Sequence, residues 1–254
     1  MRKITLALTL LFALPAYGQA SAARWVVAMT RYGASGTFGA FTAPDLRLHW
    51  VVTAVGVLAA SRMDDWATSA GVRVRIMPNL QAEIGDKWGD PVAAGIILPS
   101  LFLADRMLGY RGDKTNQRLE FAVAGLVSVG VVTVVAKEVF RRERPNGVGH
   151  RSFPSGHTSV SFAVAEIVRQ LYGNRVSVPF YLLAANTGLS RIHDNKHHPS
   201  DVVAGAGLGI GIVRGFSLVD APTMPLSFSL QFGRTGFQTN LLLSLNGFPF
   251  FSKL

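Results

Sequence analysis

The sequence predicts an all-α protein: a six-helix bundle followed by a C-terminal β-hairpin tail. Three observations carry this expectation. Six apolar segments rich in Ala, Val, Leu, Ile and Gly recur along the chain, most of them bounded by charges or turn residues. No sustained alternation of apolar and polar residues occurs before residue 226, so a sheet-based core is not expected. Beyond it, Leu226, Phe228, Leu230 and Phe232 alternate with Ser227, Ser229 and Gln231.

Taken in order, residues 1–20 read as an export signal. Arg2 and Lys3 precede an apolar stretch from Ile4 to Leu14, and Pro15 and the small residues Ala16, Gly18 and Ala20 follow. Residues 21–45, rich in Gly, Ala, Ser and Thr, are expected to be an irregular lead-in. The helical domain is expected over 46–220, with apolar runs at about 46–60, 91–104, 119–140, 157–172, 176–190 and 202–216. A membrane-spanning helix needs about 20 apolar residues, and only Phe121 to Ala136 approaches that length. These short runs favour a bundle outside the inner membrane, with an integral membrane bundle as the alternative. In the tail, 221–254, Gly233-Arg234-Thr235-Gly236 separates the alternating stretch from Phe237 to Leu245, the pattern of a hairpin.

Composition narrows the chemistry. The 254 residues include no cysteine, which excludes disulfides, thiolate metal sites and a cysteine nucleophile. Apolar residues make up 49% and charged residues 16%, too apolar for a disordered chain. The net charge is +10, which points to nucleic acid, an anionic membrane surface or an anionic substrate as partner, to be decided by where the basic residues sit. No motif points to nucleic acid, metal or another cofactor; His150, His193 and His198 match no standard zinc spacing.

Three clusters carry chemistry. The first is Lys137 with Arg144-Pro145, at the end of the third run. The second is Pro154-Ser155-Gly156-His157, opening the fourth. The third is Ser190-Arg191 followed by His197 and Asp201. Arginine offers a planar fork of donors to phosphate oxygens, and lysine a point charge. Ser155 and Gly156 place a hydroxyl and close backbone amides at a helix N-terminus, where anions bind. His157 falls in the first turn of that helix. His197 and Asp201 are four apart, so on a helical turn they are neighbours, and a carboxylate beside an imidazole fixes its tautomer.

These clusters, in this order and spacing, resemble the type 2 phosphatidic acid phosphatase superfamily, which also holds class A acid phosphatases and vanadium haloperoxidases. Lys137…Arg144-Pro145, Pro154-Ser155-Gly156-His157 and Ser190-Arg191…His197…Asp201 match its pattern without substitution. Asn195 stands where many relatives carry glycine. The resemblance implies two-step phosphoryl transfer without a metal or other cofactor. His197 is the nucleophile, Asp201 orients it and His157 is the acid. Lys137, Arg144, Ser155, Gly156 and Arg191 hold phosphate. It further implies an exported, periplasmic or membrane-associated enzyme acting on a lipid-linked phosphate, such as phosphatidate, phosphatidylglycerophosphate, undecaprenyl pyrophosphate or lipid A. Soluble monoesters are the first alternative. Vanadium-dependent halide oxidation and a non-catalytic envelope protein come after it.

Overall fold

A computed structural model of the chain describes residues 19–65, 76–109, 113–219, 226–233 and 236–243. The export signal expected over 1–20 lies almost wholly outside these residues. The helices are α1 (Gln19–Thr42), α2 (Arg47–Ser61), α3 (Asn79–Trp88), α4 (Pro91–Met107), α5 (Asp113–Phe140), α6 (Gly156–Tyr172), α7 (Asn174–His193) and α8 (Pro199–Phe216). A 3-10 turn, Pro44–Leu46, joins α1 to α2. Strands β1 (Leu226–Gly233) and β2 (Gly236–Leu243) pair antiparallel, with Leu226 opposite Leu243.

Each of the six apolar runs falls within a helix, but the described residues hold eight α-helices rather than six. The lead-in expected to be irregular is mostly α1. Its small residues are packing surface rather than loop. A side chain at Gly36 would meet the Phe216 ring, with Cε1 at 2.6 Å. The other helix without an apolar run is α3, in which Leu80 and Ile84 stand among polar residues.

Helix α8 is the axis of the bundle and touches α1, α2, α5, α6 and α7. It opens with proline in its first turn and Asp201 facing the positive helix end. Glycine at alternate positions thins two of its sides. A Cβ at Gly205 would lie 2.6 Å from the Ser155 carbonyl oxygen on α6's side, and one at Gly211 would lie 2.6 Å from the Trp50 ring on α2. The core gathers Phe121, Val129, Ile167, Ile212, Val213 and Phe216 around this axis. At one end, Asp105 accepts from Arg118 Nε at 2.7 Å and from the Tyr172 hydroxyl at 2.8 Å, tying α4, α5 and α6 together. At the opposite end, the C-termini of α5 and α7 meet the N-termini of α6 and α8.

The outward surface is unusually apolar. Val51, Val52, Val55 and Leu58 on α2 are more than half exposed, as are Ile96 and Leu103 on α4 and Val127, Val131 and Val139 on α5. Helix α5 is apolar all round, and Gln117–Phe140 is long and apolar enough to cross a membrane.

Candidate active site

The three sequence clusters converge at that second end. The hydrogen bond from Ser155 N–H to the Asp201 carbonyl oxygen, 3.0 Å, joins the α6 and α8 N-termini. Lys137 Nζ donates to the Arg151 carbonyl at 2.8 Å, so the end of α5 is tied to the segment that leads into α6. Gly156 lies against Lys137, whose Cε is 3.7 Å from where a Cβ would stand. Arg191, at the end of α7, is fully buried, and its carbonyl accepts the amides of Lys196 at 3.0 Å and His197 at 3.2 Å. Those two bonds curl the α7–α8 loop back on itself. Asn195 sustains the curl at φ +53, a left-handed backbone that asparagine tolerates well.

His197 and Asp201 do come together, though by a different device from the helical turn expected of their spacing. His197 precedes α8, and Asp201 lies in the first turn of α8. The Asp201 carboxylate folds back, accepts the His198 amide at 2.9 Å, and comes 3.7 Å from His197 Nδ1. Asp201 has no solvent exposure and accepts also from Ser152 Oγ and from Arg142 Nη1 at 2.8 Å. Arg142 in turn holds Asp64 at 2.9 Å, and Asp64 accepts both the amide and the hydroxyl of Ser200. A buried lattice of charge therefore fixes the carboxylate that faces the imidazole.

Ser155 corrects one expectation. Its amide, which was to face the anion, is taken by the Asp201 carbonyl, and its hydroxyl accepts from Thr158 at 2.9 Å. The donors left to an anion at this helix end are the Ser155 hydroxyl proton and the amides of Gly156, His157 and Thr158, which precede the first intrahelical bond, from the Ser159 amide to the Ser155 carbonyl.

Electrostatics match the geometry. Burial lowers the His197 pKa; Asp201 works against this, while Lys137 and Arg144 add to it. His157 is pushed down to about 4, by burial first and then by Arg191 and His197, with Asp86 and Asp90 opposing. Each imidazole thus senses cations of the clusters, Lys137 and Arg144 at His197 and Arg191 at His157, and His157 senses the His197 ring as well.

Sequence reasoning missed Arg142, Asp64, Ser152, Ser200 and Asp86. Arg142 stood in view in the basic run after Lys137. The two carboxylates offered no spacing signal, because each arrives from a distant element. Of the histidines set aside, His198 Nε2 lies 3.3 Å from the Glu143 carbonyl and His193 is buried.

Residues 119–222 match the family model described as PAP2 superfamily, a span that contains all three clusters. The chain is 39% identical over 113 residues to lipid A 1-phosphatase of Porphyromonas gingivalis, covering 42% of this chain. The match spans only 25% of that relative's length. It is 28% identical to lipid phosphate phosphatase 1 of Arabidopsis thaliana, over 65% of this chain and 70% of the relative. Among solved structures, LpxE of Aquifex aeolicus superposes with a TM-score of 0.50 at 20% identity, over 63% of this chain and 94% of that one. A transmembrane PAP2-type phosphatidylglycerolphosphate phosphatase of Bacillus subtilis gives 0.50 at 19% identity, over 67% and 94%. These structures share the fold.

Proposed function

We propose that this chain, whose residues 119–222 are a PAP2-superfamily domain, is an exported, membrane-associated phosphatase that hydrolyses lipid-linked phosphate monoesters or pyrophosphates through a phosphohistidine. The observation that carries the reading is the meeting of His197, His157 and Asp201 with Lys137, Arg144 and Arg191 at one end of the bundle. The lipid A 1-phosphatase and lipid phosphate phosphatase relatives support the substrate class.

His197 Nδ1 faces Asp201, so Nε2 is the nitrogen that attacks phosphorus. As the new N–P bond forms, the bond to the leaving oxygen breaks. That oxygen takes the proton of the His157 imidazolium. Lys137, Arg144, Arg191 and the α6 amides hold the equatorial oxygens as charge shifts. Water then attacks the phosphohistidine, His157 accepts its proton, and inorganic phosphate leaves with the imidazole restored. Asp201 stabilises the charge that His197 carries between the two steps.

The exposed valines and leucines of α2, α4 and α5 favour lipid over soluble esters as substrate. In this reading α5 crosses the bilayer, the neighbouring faces meet acyl chains, and the site opens at a helix end where headgroups lie. Purified full-length protein in detergent, assayed on lipid A 1-phosphate, phosphatidate, phosphatidylglycerophosphate, undecaprenyl pyrophosphate and soluble monoesters, tests this. At least one lipid phosphate should be preferred by about tenfold or more in kcat/KM, a difference of about 1.4 kcal/mol. Preference for the soluble monoesters would overturn the lipid reading, and no cleavage of any ester would overturn the phosphatase reading.

A further inference from the structure

Two carboxylates besides Asp201 stand at the site's cations: Asp194, in the turn after α7, meets Arg191 Nη2 at 3.2 Å, and Asp86 reaches the other arm of the same guanidinium from a different helix. Asp86 lies on α3 between two glycines that let this helix press against the site. A Cβ at Gly85 would stand 2.8 Å from Ser190 Oγ, and one at Gly89 would stand 2.7 Å from the Cβ of His157. Gln81 and Asn186 lock the helix to α7 with two hydrogen bonds, of 2.9 and 3.0 Å. Asp86 Oδ1 is thereby held against Arg191 Nη1, with His157 Nε2 and Lys196 Nζ each 3.6 Å away.

We propose that Asp86 is a positioning residue for the general acid: it occupies Arg191 in the empty site and serves as counterion to the His157 imidazolium when substrate phosphate takes Arg191 over. The inference rests on the phosphatase reading given above.

The argument runs through charge. His157 must carry a proton to deliver it, yet it is largely buried and faces Arg191 from α7 and Lys196 and His197 from the α7–α8 loop. Among the described residues, Asp86 and Asp90, from α3 and the turn after it, work in its favour. Asp86 is itself held below the usual carboxylate range: burial raises it, but Arg191, Lys196 and His157 outweigh that. It is therefore a fixed negative charge at working pH. A phosphate dianion brings more charge than one carboxylate and binds the guanidinium fork through two oxygens. Once Arg191 is neutralised in this way, the pull of Asp86 on His157 is no longer opposed by its strongest rival. The gap of 3.6 Å is too long for a hydrogen bond and leaves Nε2 open to the leaving oxygen.

The test is Asp86→Asn in the full chain, with a short-chain alkyl phosphate and an aryl phosphate as substrates. Loss of the charge lowers the pKa of His157, so the acid form disappears at lower pH. The basic limb of the kcat profile for the alkyl ester should move down by about one unit, with about a tenfold loss of kcat above it. The aryl ester, whose leaving group needs little protonation, should lose less than about threefold. KM should not rise, because Arg191 is released. Asp86→Glu should bring the limb back towards its original position, and Asp90→Asn should move it less. Should Asp86→Asn not fold, Asp86→Ser removes the same charge with a smaller side chain. An unmoved limb, or equal losses on both esters, would leave Asp86 as nothing more than a part of the α3 clamp and would overturn the inference. Those outcomes presuppose an active wild type. A wild type inert on every ester would instead overturn the phosphatase reading.

Discussion

The Asp201 carboxylate lies 3.7 Å from Nδ1 of His197, and of the two groups only the imidazole is free to close the gap. Asp201 is fixed by Arg142, Ser152 and the His198 amide, whereas His197 Nδ1 makes no hydrogen bond. Catalytic hydrogen bonds are often long before substrate binds and tighten in the complex. The His197 ring, rather than the loop held to the Arg191 carbonyl, is thus the part expected to shift when phosphate arrives.

Asp201→Asn should therefore change the pH profile and not only the rate. In the proposed mechanism His197 attacks as a neutral imidazole, so activity should fall where it becomes protonated. Burial lowers its pKa and Asp201 raises it. Removing the carboxylate's charge lowers that pKa further, and the acidic limb of kcat/KM should move to lower pH. An acidic limb that stays in place would remove Asp201 as the partner of His197.

His197→Ala should cost about 10³ or more in kcat, since no neighbouring group can accept the phosphoryl group covalently. The fold should survive, because the loop is held by backbone bonds to the Arg191 carbonyl. Single-turnover assays alongside a thermal melt would check both halves. Activity within about tenfold of wild type would mean that His197 is not the nucleophile.

Arg142→Met probes the lattice behind the site. It removes the guanidinium from Asp201, whose side chain has no exposure, and from Asp64, which has 8%, while their other hydrogen bonds remain. Because Arg142 is itself 31% exposed, the cost should be about 1–3 kcal/mol, short of that for a fully buried pair. The melting temperature should drop by several degrees and activity should fall with it. Asp64→Asn combined with Arg142→Met should recover part of the loss, since it removes one of the two carboxylate charges that the guanidinium balanced.

The contrast between these residues shows what the sequence can carry. Lys137, Arg144, His157, Arg191, His197 and Asp201 were legible as three local clusters whose residue types suit an anion, and the structure brings those clusters to one end of the bundle. Arg142 was legible only as one more charge in a basic run. Asp64 and Asp86 carry no local signal, because each meets its partners across more than fifty residues of chain. The helices divide in the same way. Helix α5 announces itself by apolar length. Helix α3 does not, since it packs through Gly85 and Gly89, whose value lies in what they lack. The lead-in misread as irregular forms α1 for a related reason: its Gly and Ser residues look like loop until the α8 surface they fit is known.

Gly89→Ala tests that close approach. The added methyl would stand 2.5 Å from Thr187 Cγ2 and 2.7 Å from His157 Cβ. Overpacking of this kind costs about 1–3 kcal/mol. Because one of the two clashes is with His157, the proposed general acid, turnover of an alkyl phosphate should fall more than turnover of an aryl phosphate. Equal loss on both would place the strain on the α3–α7 contact alone.

The last expectation concerns the two basic limbs of the wild type. In the empty site the His157 pKa is pushed down to about 4, by burial first and then by Arg191 and His197. The kcat/KM profile reports the free enzyme, and the kcat profile reports the enzyme with substrate bound. A bound phosphate dianion offsets Arg191 and sets negative charge beside the imidazole. Both effects favour the imidazolium, so the His157 pKa must be higher in the complex than in the empty site. For an alkyl ester, corrected for the ester's own ionisation, the basic limb of kcat should lie at higher pH than that of kcat/KM. Arg191→Lys keeps a charge but loses the two-pronged grip, so it should weaken binding and narrow the gap between the limbs. Coincident limbs would mean that phosphate and His157 do not sense each other, and the acid would have to be sought elsewhere among the groups that face Arg191.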